Sequence, residues 1–230
     1  MTTSPDASRG SGLGPHVRGH LLLFERREPP AYDELRGLRL LFTAVFFEVV
    51  RVVLSRGGGE SSAAVWLPPV LLALALIAVR FDTGLTLSQI GLRPWREWTP
   101  TERSYFVQVV VLANVVFPLV VGWPKLEVFV PYLFFGFYQE LVYRGLLQLE
   151  LSRRWGAVAG ILVANALYTF GPLHARYFTS APSTAIPMFA AIFAIGLLFG
   201  VIYRRSGNLG IPAVMHAIGN AYIVGSGRSF

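Results

Sequence analysis

The residues able to do chemistry lie in three short polar runs, each inside an otherwise apolar stretch. The first is Phe137-Tyr138-Gln139-Glu140-Leu141-Val142-Tyr143-Arg144. Glu140 and Arg144 are four apart, so on a helix they share a face and can pair. Gln139 and Tyr143 form a neighbouring pair, turned by about 100° from the first. The second run, Phe170-Gly171-Pro172-Leu173-His174, sets a histidine just past a Gly-Pro helix break, where it can face a cavity rather than lipid. The third, His216-Ala217-Ile218-Gly219-Asn220, projects an imidazole and an amide from one helix face. Each run alone has a structural reading: a buried ion pair that fixes packing, a hydrogen-bonding histidine, an interhelical polar pair. Together they supply a carboxylate, two imidazoles, a guanidinium and two amides. Such a set suits a carboxylate–histidine pair taking a proton from water, with histidine and asparagine donors for an oxyanion.

The elements that must position these groups are membrane helices. The 230 residues are 53% hydrophobic and 13% aromatic but only 14% charged, against roughly 25% charged in soluble domains. The mean hydropathy is +0.53. A soluble globular, disordered or collagen-like chain does not fit. Cysteine is absent, which excludes disulfides, thiolate metal sites and cysteine nucleophiles. The net charge of +7 is assigned to basic cytoplasmic loops rather than to nucleic acid. Lys125 is the only lysine, and arginine in its place elsewhere leans toward a GC-rich prokaryotic source.

Residues 1–32 are polar and read as a flexible cytoplasmic tail without the apolar core of a signal peptide. Residues 33–230 read as the membrane-embedded domain, an all-α polytopic bundle of about seven transmembrane helices. The expected spans are 35–54, 63–79, 104–121, 128–151, 157–173, 184–203 and 211–224, with the chemistry in the half from about 104 to 226. Between the second and third spans, Ile90-Gly91-Leu92-Arg93-Pro94-Trp95 reads as an interfacial elbow, with Trp95 and Trp98 at headgroup level. With the N-terminus inside, fourteen of the twenty basic residues fall on the cytoplasmic side and four (Arg56, Lys125, Arg176, Arg228) outside. This bias predicts N-in, C-out in a bacterial inner membrane. Gly156/Gly160 and Gly196/Gly200 have the spacing that lets helices approach closely. Glu48 and Arg51, three apart, read as a structural pair.

The three runs resemble the motifs of the CPBP family, the type II CAAX prenyl endopeptidases with their bacteriocin-processing and abortive-infection relatives. The family pattern is Glu-Glu-x-x-x-Arg, Phe-x-x-x-His and His-x-x-x-Asn. The matches are Gln139-Glu140-x-x-x-Arg144, Phe170-x-x-x-His174 and His216-x-x-x-Asn220. The resemblance extends over about Ile90 to Ala221, including Gly91-Leu92-Arg93 and Gly207-Asn208-Leu209. It implies a glutamate-type intramembrane endopeptidase with no cofactor and no metal, acting on a membrane-associated protein or peptide in the lipid bilayer. It also implies roles. Position 139 and His174 prepare the water, and His216 and Asn220 hold the oxyanion. Glu140 and Arg144 orient the site, flanked by Tyr143 and Phe170.

Position 139 departs from the pattern. An amide cannot take a proton from water as a carboxylate does. Three readings stay open: an inactivated Glu→Gln form of a protease, a protease whose base is Glu140, and a pseudoprotease that binds without cutting. A proton-coupled transporter using Glu140, His174 and His216 is the reading from another class, set back by the absence of internal repeats. A zinc protease with those three ligands is chemically possible but lacks a His-Glu-x-x-His motif. One geometric difficulty accompanies the predicted topology. It puts His174 near the outer end of its span, His216 near the inner end of its own, and Glu140 in mid-membrane, about 18 Å into its helix.

Overall fold

The computed structural model describes residues 38–57, 62–123, 126–172, 174 and 182–225. The tail to Tyr32, the start of the first expected span, Leu173, Lys125, Arg176 and Arg228 lie outside them. Among the described residues all regular structure is helical. The elements are α1 (Arg39–Gly57), α2 (Ser62–Ala78), α3 (Pro100–Val121), α4 (Leu126–Glu140), α5 (Leu149–Trp155), α6 (Ala157–Phe170), α7 (Pro182–Ser206) and α8 (Gly210–Gly225). α2 widens into a π turn over Val79–Thr83. A π-helical stretch, Leu141–Gln148, joins α4 to α5 without a break. The described helices therefore form seven rods, each within a few residues of its expected boundaries.

Among the described residues, three segments suffice by length and composition to cross a membrane: Trp66–Thr83, Pro100–Val121 and Ala185–Ser206. The other rods are shorter, like α6 and α8, or carry charge, like α1 with Glu48 and Arg51 and α4 with Glu127 and Glu140. Glu127 is exposed at the start of α4, whereas Glu48, Arg51 and Glu140 turn inward and pair. Arg51 meets Glu48 at 2.5 Å, the pair expected from the sequence. The outward side chains are apolar: Phe42 and Phe46 on α1, Val111, Leu112 and Leu119 on α3. A shell of that kind is stable against lipid rather than water.

The elbow is two short 3-10 turns, Ser88–Ile90 and Trp95–Glu97, and the capped start of α3. Thr99 and Glu102 make a capping box, with Pro100 at the first helical position, so local sequence alone starts this helix. Glu102 then does more than cap. Its Oε1 accepts from Arg93 at 2.5 Å, and the same guanidinium nitrogen donates to the Ser206 carbonyl at the end of α7. Gly91, at φ +87°, accepts the Leu209 N–H at 2.9 Å. A Cβ at Gly91 would meet the Tyr203 ring at 2.8 Å and the Gly207 carbonyl at 2.9 Å. The two Gly-containing turns of the sequence are thus pressed together, which fixes where α8 begins.

α8 runs antiparallel along α4, and the pair crosses at Gly136. A Cβ there would lie 2.5 Å from the Ala217 Cα and 2.6 Å from its nitrogen, both backbone atoms of α8. Gly136→Ala is therefore expected to push the two helices apart and lower stability by about 1–3 kcal/mol. Thermal unfolding in detergent micelles measures it, and an unchanged midpoint would contradict this contact.

Candidate active site

The site forms where α4 becomes the π stretch. Glu140, the last residue of α4, is 0% exposed. Its Oε1 accepts from Arg144 Nη1 at 3.1 Å, the i, i+4 pair read from the sequence. The same oxygen lies 2.6 Å from His216 Nδ1 on α8. A carboxylate only accepts, so Nδ1 carries the proton and donates. Glu140 Oε2 is buried with no hydrogen-bond partner.

Arg144 is 1% exposed and holds three helices at once. Beyond Glu140, it donates to the Gly196 carbonyl on α7 at 3.0 Å and to Asn165 Oδ1 on α6 at 3.4 Å. Asn165 passes this on, donating to the Phe193 carbonyl at 2.9 Å. One turn further, Gln148 donates to the Gly200 carbonyl at 3.0 Å. The Gly196/Gly200 spacing explains these reaches. A Cβ at Gly196 would overlap Asn165 Oδ1, and one at Gly200 would meet Gln148 Oε1 at 2.9 Å. The glycines let polar side chains touch the carbonyls of α7 in a medium that offers no water. The π turns, wider than α-helix, are a frequent feature of functional sites.

Beside this pair lies a second one. Asn220 Nδ2 donates to Gln139 Oε1 at 3.1 Å. Gln139 is buried and Asn220 is partly exposed. α8 therefore meets α4 twice, His216 on Glu140 and Asn220 on Gln139, as i, i+4 neighbours from one face must.

His174 enters from the end of α6. After the break at Gly171-Pro172 the chain turns back, with the His174 N–H donating to the Gly171 carbonyl at 3.2 Å. The ring follows, its Nδ1 donating to the Tyr168 carbonyl at 3.0 Å. The hydroxyl of Tyr168 in turn lies 3.1 Å from His216 Nε2. The expected separation of the two histidines is thus closed by the backward turn of His174 and by Tyr168 between them.

A family model described as Rce1-like, type II CAAX prenyl endopeptidase, matches residues 121–222. This segment, a little under half of the chain, is similar to the type II CAAX prenyl endopeptidases. No curated protein and no solved structure matches it. The matched segment opens at the end of α3, closes within α8 and contains all three motifs, while the elbow and the first two helices precede it. The likeness of this segment to a protease family supports a peptidase in general, and the apolar helices support an integral membrane protein.

Of the residues singled out from the family motifs, Gln139, Glu140, Arg144, His174, His216 and Asn220 come together in this site. Tyr143 is buried next to it, its ring edge-on to Tyr168 with centroids 5.2 Å apart. The sequence pairs Tyr143 with Gln139 at i, i+4, but the side-chain partner of Gln139 Oε1 is Asn220. Phe170 faces outward, 54% exposed and stacked on Phe189 of α7 at 5.6 Å. There it packs the end of α6 against α7. Sequence reasoning missed Asn165 and Tyr168. Both are polar groups inside an apolar span, and that was the available signal. Among the described residues no three His, Asp or Glu side chains converge as metal ligands.

Proposed function

We propose that this chain is a glutamate-type intramembrane endopeptidase scaffold that hydrolyses a peptide bond near the membrane segment of a protein substrate. The observation that carries the reading is the double contact of α8 on α4. It brings position 139 beside an amide donor, Asn220, and His216 beside a buried carboxylate. With glutamate at 139, one carboxylate oxygen would accept from Asn220 and the other would take a proton from water. The hydroxide attacks the scissile carbonyl carbon, and the oxyanion accepts from nearby N–H donors. The tetrahedral intermediate then collapses, with the proton passing to the leaving amine. Glu140 and Arg144 hold the frame, since Oε1 of Glu140 is already engaged twice.

Gln139 cannot take that proton, so the chain as written binds substrate better than it cuts it. The amide pair with Asn220 favours this second reading, a membrane binding protein on a protease frame. The substrates we favour are bacteriocin leaders and membrane-anchored C-terminal sorting signals in a bacterial inner membrane, with the N-terminus cytoplasmic. The test is to co-express the Gln139→Glu form with host membrane proteins and map new termini by mass spectrometry. New termini absent with the unmodified chain support the peptidase. Their absence, with the protein folded and membrane-inserted, leaves the binding reading.

A mainly apolar groove of about 590 Å³ lies between the elbow, α4 and α8. Its walls include Leu92, Trp98, Phe137 and Val214. The last two are two residues from Gln139 and His216 and so sit on the opposite faces of their helices. In the Gln139→Glu form, filling the groove by Val214→Trp is therefore expected to leave kcat and KM little changed, and a rise in KM of about tenfold would place the groove on the substrate path.

A further inference from the structure

We infer that Tyr168 is the positioning residue that ties the two histidines together, its carbonyl fixing the ring proton of His174 and its hydroxyl masking Nε2 of His216. This rests on the peptidase reading for its purpose but not for its geometry. The Tyr168 carbonyl can only accept, so the 3.0 Å contact puts the ring proton of His174 on Nδ1. A neutral His174 then keeps its lone pair on Nε2, the nitrogen suited to take a proton. Glu140 likewise fixes the proton of His216 on Nδ1. Its Nε2 lone pair therefore accepts from the Tyr168 hydroxyl at 3.1 Å.

The ring of Tyr168 is held from several sides. The Arg144 guanidinium carbon lies 4.7 Å from its centroid, and the rings of Tyr143, His174 and His216 stand edge-on at 5.2, 5.1 and 5.7 Å. Such a clamp leaves the hydroxyl little freedom to leave His216. In the resting site a neutral His216 presents no N–H outward, and it becomes a donor from Nε2 only on taking a proton. Tyr168 thus keeps one histidine basic and the other masked, a division that neither motif residue can impose on itself.

The experiment is nitrogen NMR of histidine-labelled protein in detergent, on the unmodified chain and on Tyr168→Phe. In the unmodified chain both His174 and His216 are expected as the Nδ1–H tautomer. Nε2–H at His216 in that spectrum overturns the inference without any variant. In Tyr168→Phe the backbone carbonyl remains, so His174 stays unchanged while His216 Nε2 moves to the range of a nitrogen without a hydrogen bond. An unmoved His216 also overturns it. In the Gln139→Glu background, Tyr168→Phe is expected to lower kcat about 10- to 100-fold at constant KM. The NMR result stands if no peptidase activity is found, so failure of the peptidase reading and failure of this inference are told apart.

Discussion

Gln139→Glu is expected to raise peptidase turnover by about 10²- to 10⁴-fold, the range a well-placed general base supplies. One contact at residue 139 suits a carboxylate as well as an amide. Gln139 Oε1 accepts from Asn220 Nδ2, and glutamate keeps that acceptor. The exchange is close to isosteric, so the helix contact at Gly136 and Ala217 is undisturbed. What changes is the second atom of the head group, from an N–H donor to an oxygen with proton affinity. Single-turnover cleavage of a membrane-anchored reporter in liposomes measures the effect. An unchanged rate from an already active chain would move the base to Glu140, whose Oε2 has no hydrogen-bond partner. No activity in either form would favour the pseudoprotease.

Arg144→Met is expected to cost about 3–5 kcal/mol of stability, the usual penalty for leaving a buried charge without its partner. Glu140 would keep only His216, and the acceptors at Asn165 and Gly196 would lose a donor in the same step. Replacing both members, as Glu140→Met with Arg144→Met, is expected to recover much of that loss, because no charge is then stranded. The double variant should still be inactive. His216 would have no acceptor at Nδ1, and its ring proton would no longer be fixed. Thermal unfolding in micelles and cleavage by the Gln139→Glu form carrying both changes separate the two effects. A double variant no more stable than Arg144→Met would show that the arginine acts mainly through α6 and α7. The single variant probes the frame, whereas Gln139→Glu probes the chemistry.

Much of this was legible before any coordinates. Apolar runs of membrane length set the helices, because a segment in lipid must satisfy its own backbone. The i, i+4 spacings set Glu140 against Arg144 and put His216 and Asn220 on one face, because helix periodicity is local. The capping box at Thr99 and Glu102 is as local a signal, yet it went unread: α3 starts at Pro100, four residues before the expected span. The N-in orientation rests on the arginine distribution alone and remains a proposal.

Other features depended on which faces meet. Nothing in the spacing of Leu141–Gln148 announces a π stretch, which forms where Arg144 and Gln148 turn to the carbonyls of α7. Phe170 has the motif position yet faces out, because the end of α6 packs on Phe189. Gln139 pairs with Asn220, 81 residues away, rather than with its own helix neighbour Tyr143. Tyr168 joins two histidines that the linear topology holds apart. The sequence by itself determined the class of the molecule, its helices and the kinds of group each helix offers, since composition and periodicity act over a few residues. Only the tertiary structure decided which group faces which. Those pairings depend on close helix approaches at Gly136, Gly196 and Gly200, and on a chain reversal at Gly171-Pro172.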